Sequence, residues 1–387
     1  MRIMTWQTAL VLALLTTISA RAEDIPSLLL KIKAIGKEGA GHAEARKAWK
    51  ELAGKGPEVL PEVLAGLDDA SPTSANWIRS AIESISERSL AQGKPIQARK
   101  LESFVKETKH SGAARRLAYE YLVRLDPTAP QRLLPGMVND PGAELRRDAV
   151  EVLIKDAQKI QESGDTKAAL AAFDKAFFHA RDKDQVQHLA DQLKKLGKTV
   201  DLTQHFGFIT RWAIVGPFDN VGGVGFNTTN PPERGVDLKA KYPSKENEPC
   251  GWEEVTTGEK LGLVDFNKVV GKLKGATYFA YAQVDSPMQR PVEIRAGSNN
   301  AVRIWLNGEQ VYFREEYHHG MKMDQHVGKG VLKQGNNEIL IKVCQNEQTE
   351  DWAQQWSFQL RLCDHLGGAV PFTVVTPKLP ARKAEEK

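Results

Sequence analysis

Cysteine is scarce. The 387-residue chain holds three, Cys250, Cys344 and Cys363, and an odd count leaves at least one thiol unpaired. Cys344 and Cys363 each end a predicted strand. If those strands form a hairpin, about seven residues at ~3.3 Å each separate the two. A disulfide needs Cα atoms roughly 4.4–6.8 Å apart, so no bridge is expected there, although another strand order would restore it. Charge of one sign is also lacking. Lys and Arg number 53 against 49 Asp and Glu. Arg2 and Arg21 lie in a segment expected to be removed, which leaves a small mature excess. That excludes the basic stripe of a nucleic-acid partner. Beyond the first 22 residues no apolar run approaches the ~20 residues that span a bilayer.

Catalytic patterns are missing too. There is no nucleophile elbow, no metal-protease helix and no Cys–His nucleophile pattern. Glu253-Glu254 and Glu315-Glu316 are adjacent. On a strand, neighbours point to opposite faces and make poor acid/base partners. Gly222-Gly223-Val224-Gly225 lacks the Lys-Ser/Thr and the strand–helix setting of a phosphate-cradling loop. No cofactor is expected.

The N-terminus is informative. Met1-Arg2 precedes an apolar run centred on Ala9 to Leu15, and Ala20-Arg21-Ala22 offers a small-x-small cleavage site. This is the layout of a secretory signal peptide, and it predicts export to the periplasm or outside the cell. No cysteine follows the cleavage point to carry a lipid anchor.

From residue 23 to about 204 the periodicity is helical. One pattern recurs: Arg46-Lys47-Ala48-Trp49 with Leu52, Arg79-Ser80-Ala81-Ile82 with Ile85, Arg116-Leu117-Ala118-Tyr119 with Leu122, and Arg147-Asp148-Ala149-Val150 with Leu153. Ala and Leu four apart share a helix face. The Arg two residues earlier is expected to bond carbonyls or an acidic side chain near the inter-repeat loops. Asp126-Pro127 and Asp140-Pro141 suit the joining turns. The pattern resembles HEAT-like repeats, which implies a stack whose usual use is protein contact. Leu153, Ala157, Ile160, Gly164, Ala169, Phe173 and Ala176 then resemble one degenerate tetratricopeptide-like hairpin, expected to be the last layer of that stack.

After Gly197 the period shifts towards two. Strands are predicted over 210–215, 277–285, 291–296, 301–306, 310–314, 327–332, 338–345 and 356–362, an antiparallel sandwich. Asn307-Gly308 between alternating runs marks a tight hairpin. The Ile304-Trp305-Leu306-Asn307-Gly308 hairpin, the turn from Leu332 to Asn336 and the strand after it resemble jelly-roll sugar-binding-like domains. Such domains stand beside the catalytic domain of glycoside hydrolase family 2 and belong to the wider galactose-binding-like group. Trp212 to Asn220 looks like the start of such a domain in exported bacterial multi-domain proteins. The resemblance implies fold and carries no binding site with it. The expected fold class is multi-domain α + β: an N-terminal α-solenoid of HEAT-like helix pairs, then an antiparallel jelly-roll-like β-sandwich. The expected order is signal peptide 1–22, HEAT-like repeats 23–155, tetratricopeptide-like hairpin and linker 156–204, sandwich 205–370 and disordered tail 371–387.

Candidate ligand residues follow from sugar chemistry. Sugar C–H faces stack on aromatic rings, and hydroxyls need amides or carboxylates. Trp305 with Arg303, Trp352 with Asn346 and Asp351, and the Tyr317-His318 pair meet that description. His318, His319 and His326, near Met321, Met323 and Asp324, are weak metal candidates, since Met with His would suit copper. Three functions are open. The first is a non-catalytic binding or scaffold protein, with helices for a protein partner and the sandwich for glycan or partner docking. The second is a dedicated carbohydrate-binding module, and the third a hydrolase with its site at the domain junction.

Overall fold

The computed structural model of the chain describes residues 23–246, 248–376 and 379. The predicted signal peptide lies outside the described residues. Helices fill the N-terminal half and antiparallel sheets the C-terminal half. The chain forms two compact units that divide between Arg132 and Leu133.

The first unit contains α1 (Ile25–Lys33), α2 (His42–Ala53), α3 (Leu60–Ala65), α4 (Pro72–Ala91), α5 (Ala98–Lys106) and α6 (Gly112–Leu125), and ends within α7 (Ala129–Leu133). Asp24, Ser71 and Ser111 cap α1, α4 and α6 by accepting the N–H three residues on. Ala48, Ala81 and Ala118 are buried, as are Leu52, Ile85 and Leu122 four residues after each. The small side chains let neighbouring helices approach. The arginines meet the expectation in part: Arg147 pairs with Asp184 at the start of a following helix. Arg116 pairs along its own helix with Glu120, while Arg115, one residue earlier, is buried and donates to the Val105 carbonyl at 2.7 Å. One residue is ~100° of helix rotation, enough to exchange a solvent face for a core face. Arg88 caps the carbonyls of Ala53 and Lys55 in the same way.

The second unit begins with α8 (Ala143–Glu162), α9 (Thr166–His179), α10 (Lys183–Lys195) and α11 (Leu202–Phe206). Gly164 turns the chain at φ 88°, and Asp165 caps α9. The predicted last layer of the helical stack therefore lies in the same compact unit as the sheets. Phe173, Ala176, Phe177, Val186 and Leu189 pack with Phe206 and Phe208, against Leu261 and Met323 from the sandwich loops.

Among the described residues thirteen strands follow: β1 (Arg211–Asp219), β2 (Lys241–Tyr242), β3 (Cys250–Gly251), β4 (Glu253–Thr256), β5 (Val264–Asp265), β6 (Ala276–Ser286), β7 (Arg290–Ser298), β8 (Ala301–Leu306), β9 (Glu309–Arg314), β10 (His326–Leu332), β11 (Gly335–Gln345), β12 (Ser357–Cys363) and β13 (Thr373–Val374). Short helices α12 (Val224–Asn227), α13 (Pro231–Arg234) and α14 (Phe266–Val269) interrupt them. One sheet runs β4-β1-β6-β11-β8-β9 with β13 also on β6, the second runs β10-β7-β12-β5, and β2 pairs with β3. Every pairing is antiparallel.

Alternation sets the core. Val302, Ile304 and Leu306 meet Ile339, Ile341 and Val343, with Phe358, Leu360 and Leu362 from the facing sheet and Trp356 among them. Asn307 and Gly308 both take positive φ, 53° and 83°, as a type I′ turn requires. Cys344 and Cys363 are free thiols, as expected, and their strands form no hairpin, because β11 and β12 lie in opposite sheets. One expectation is corrected. The predicted disordered tail from 371 contributes β13, and the Thr376 hydroxyl accepts the Gln283 N–H.

Candidate functional site

Five of the candidate residues, Trp352, His318, Asn346, Tyr317 and Asp351, meet at one end of the sandwich. Trp352 lies on a short 3-10 turn, Asp351–Ala353, and is 62% exposed. The His318 ring stands edge-on to it, with ring centres 5.4 Å apart. His318 takes a left-handed backbone, φ 56°, and its N–H donates to Asn300 Oδ1. A side chain other than Gly pays for that conformation, so the surrounding contacts must hold it there.

The imidazole tautomer follows from its neighbours. Asn346 Nδ2 donates to Gln348 Oε1, so Asn346 Oδ1 is the acceptor facing His318 Nε2 at 2.7 Å. His318 Nε2 therefore carries the proton. Its Nδ1 is left as a buried lone pair, closed to solvent, that no group satisfies among the described residues. Tyr317 stands next to it, and its hydroxyl accepts from Asn220 Nδ2 at 3.2 Å. Burial pushes the Tyr317 phenol up to about 12, so it stays protonated. Asp351 is exposed beside Trp352. The arrangement offers a ligand an open ring face, an amide and a carboxylate.

Two buried asparagines position this end, and sequence reasoning passed over both. Asn220 ties Tyr317 to the Gln345 carbonyl and accepts the Phe226 N–H. Asn300 receives His318 and donates to the Gln355 carbonyl. The available signal was Ser298-Asn299-Asn300 between two strong strands, a turn whose amides had to be spent somewhere.

Arg303 and Trp305 lie apart from this cluster. Trp305 does leave the inter-sheet core, as alternation requires. It is nonetheless only 9% exposed, packed among Val215, Tyr242, Trp252, Phe279 and Tyr281 on the outer sheet face. It presents no open ring. Arg303 is spent on Phe226 O, Gln310 and Asn227, over the Phe226 ring.

The three histidines also separate. His319 and His326 lie 5.7 Å apart, ring centre to ring centre, away from the His318–Trp352 pair. Gln325 Nε2 donates to His319 Nδ1 at 2.7 Å, which puts the His319 proton on Nε2, the wrong tautomer for a metal ligand there. Met321 Sδ is 3.8 Å from the Ser357 hydroxyl. Asp324 is engaged by Arg361 and Arg295. Among the described residues no group of three or more His, Cys, Asp or Glu is placed to hold a metal.

A separate cleft of about 890 Å³ opens where α11 meets the sandwich, lined by Thr203, Gln204, Phe208, Thr257, Phe372 and the carboxylates of Asp201 and Asp285. Asp201 is already used as the cap of α11, accepting from Thr203 and Gln204.

Buried imidazoles give a pH signature. Burial pushes His205 and His326 down to about 4; for His205 the Ala180 carbonyl opposes the shift, and for His326 the neighbouring His319 and Arg314 reinforce it. Both stay neutral in the folded protein while the unfolded chain protonates near 6.5. Their contribution is complete above about pH 6.5 and is lost as pH falls towards 4. The expected slope approaches two protons, up to about 2.7 kcal/mol per pH unit. Urea melts at pH 7 and pH 5 measure it, and His326→Gln should remove one of the two protons.

No protein-family model matches the chain, and no curated protein matches it. Weakly similar solved structures include the following three. An anti-sigma factor domain-containing protein is 19% identical over 31% of this chain and 39% of that one, with TM-score 0.23. A beta-glucosidase from Kluyveromyces marxianus in complex with glucose is 11% identical over 75% and 36%, with TM-score 0.27. A GH31 alpha-xylosidase from Xanthomonas citri is 9% identical over 40% and 17%, with TM-score 0.19. The chain spans well under half of each of these proteins, and similarities this low carry no argument about function.

Proposed function

We propose that this is an exported, non-catalytic binding protein. Its sandwich, jelly-roll-like in the sense of the sugar-binding-like domains, takes a glycan at the Trp352 end. Its helix pairs, HEAT-like, contact a protein partner. The observation that carries the glycan reading is the exposed Trp352 ring with the exposed Asp351 carboxylate and the half-buried Asn346 amide near it. A sugar C–H face would stack on the indole while hydroxyls meet Asn346 and Asp351, and His318 holds its edge against the ring from the protein side. Stacking on an exposed aromatic ring resembles the platform use of rings elsewhere, worth about 1–3 kcal/mol for each base stacked in nucleic-acid sites.

The test is a broad glycan array probed with the chain lacking residues 1–22, beside Trp352→Ala. Wild-type binding that falls by about tenfold or more in the variant is expected, the equivalent of ~1.4 kcal/mol. Wild-type binding that Trp352→Ala leaves intact would remove this end from the account. An array with no ligand, the protein being folded, would leave only the protein-contact arm.

A further inference from the structure

The outer face of α2 and α4 carries a groove that a glycan-binding sandwich does not explain. It has a volume of about 570 Å³. His42, Arg46, Trp49 and Lys50 line it from α2, and Asn76, Trp77 and Ser80 from α4. Positions 42, 46, 49 and 50 share one side of α2, while Ala45, Ala48 and Leu52 on the other side are buried. An exposed helix face normally carries charge alone. Here it carries two indoles.

Both rings are held in place before any partner arrives. Trp49 Nε1 donates to the Ser80 hydroxyl at 3.0 Å, bridging α2 to α4. His42 meets Trp77 edge-on, 5.0 Å between ring centres. A fixed aromatic pair loses little freedom on binding, which is what a contact hot spot needs.

The charge around the rings is one-sided. Arg46 and Lys50 line the groove, and no carboxylate does. Neither cation has an ion pair among the described residues. Some other cations of the same unit do: Arg124 meets Glu87, Arg132 meets Glu102 and Asp126, and Lys106 meets Glu102. Two open cations beside two rings form a surface complementary to carboxylates next to an apolar side chain.

We propose that this groove docks a segment of a partner protein in which Asp or Glu residues flank a leucine or an aromatic residue. The proposal rests on the reading of the helical unit as a protein-contact surface and names the chemistry of that contact. The carboxylates pair with Arg46 and Lys50, and the apolar side chain enters between Trp49 and Trp77. Two cations are too few to track a nucleic-acid backbone, which draws its affinity from many phosphate contacts.

The experiment uses the full chain lacking residues 1–22 and fluorescence anisotropy with three labelled probes. These are a peptide of Asp, Glu and Gly around a central Leu, the same peptide with Lys in place of the acids, and oligothymidine. The acidic peptide alone is expected to bind, more weakly as salt rises. Arg46→Gln with Lys50→Gln, and separately Trp77→Ala, should each weaken it by about tenfold. All three positions are on the solvent side, and unchanged thermal melting confirms that the variants fold. Equal binding of the Lys peptide overturns the charge argument and leaves a peptide-contact role standing. Tight binding of oligothymidine overturns the proposal in favour of a nucleic-acid surface. Binding of no probe at millimolar peptide overturns both the proposal and the protein-contact reading of this face.

Discussion

Replacing Asp324 by Asn should lower the stability of the second unit by about 3–5 kcal/mol. Arg361 is 1% exposed and lies mid-strand in β12. Its guanidinium gives Nε and one terminal nitrogen to the Asp324 carboxylate and the other to the carbonyls of Phe206 and Gly367. Arg295 adds a bond to the same carboxylate and two to Glu293. Asn keeps the shape and tolerates the left-handed backbone of Asp324, φ 61°. It removes the charge, so a buried guanidinium is left without its counter-ion. Asp324→Ala should cost more, since Ala is also strained at that φ. Gly367 and Gly368 belong to the same arrangement. A Cβ on either would stand 2.9 Å from an arginine nitrogen, that of Arg295 or Arg181. Chemical denaturation of the two variants at pH 7 measures both effects.

The acid behaviour of this pair differs from that of the histidines. Burial acts to raise the Asp324 carboxyl, yet Arg361 and Arg295 outweigh it and hold the group below the usual carboxylate range. Its contribution is present in full above the unfolded carboxylate value, about 3.9. It is lost only as pH falls through the lower folded value. Destabilisation between pH 6.5 and 4 should therefore survive Asp324→Asn.

The second large effect is expected at Glu233. Lys342 is 0% exposed in the middle of β11, beneath the segment that carries α12 and α13. Its ammonium spends its three donors on Glu233 at 2.7 Å, Thr228 O at 2.8 Å and Phe226 O at 3.2 Å. Glu233→Ala leaves the charge buried with two carbonyls and should cost about 3–5 kcal/mol. Replacing both members, Lys342→Met with Glu233→Met, removes the two charges together and leaves no buried ion without a partner, so it should cost less than Glu233→Ala alone. The order of the single and the double variant is the informative result. A Glu233→Ala protein more stable than the double variant would mean that the unpaired Lys342 charge costs nothing. The same segment contains Asn220, which positions Tyr317, so Glu233→Ala should also weaken ligand binding at the Trp352 end.

Much of the sandwich was legible because strand alternation is local. The eight long strands fall within a few residues of where Val302, Ile304, Ile339, Ile341, Phe358 and Leu360 placed them. Pairing is not local. Nothing in the sequence around Cys344 and Cys363 says that their strands belong to different sheets. The burial of Trp305 was hidden for a related reason. Its cover comes from residues 213–252 and from Tyr281 and Leu340, and a segment with little periodicity does not announce what it lies on. In the helices, the alanine rows were readable, but the carbonyl-bonding arginines were one residue off, since a helix face is narrower than a residue's rotation. At the site, Tyr317, His318, Asn346 and Trp352 could be picked by residue type. Asn220 and Asn300 could not, because a buried asparagine acts through bonds that only the fold reveals.

The most direct test is a two-dimensional NMR spectrum of the indole N–H groups of the chain lacking residues 1–22, which keeps seven of the eight tryptophans, recorded with neutral oligosaccharides added. Trp352, assigned by its absence in Trp352→Ala, is expected to shift on titration while Trp305 and Trp356 stay in place. A shift confined to another tryptophan, or none at any sugar concentration reached, would contradict a glycan site at the Trp352 end.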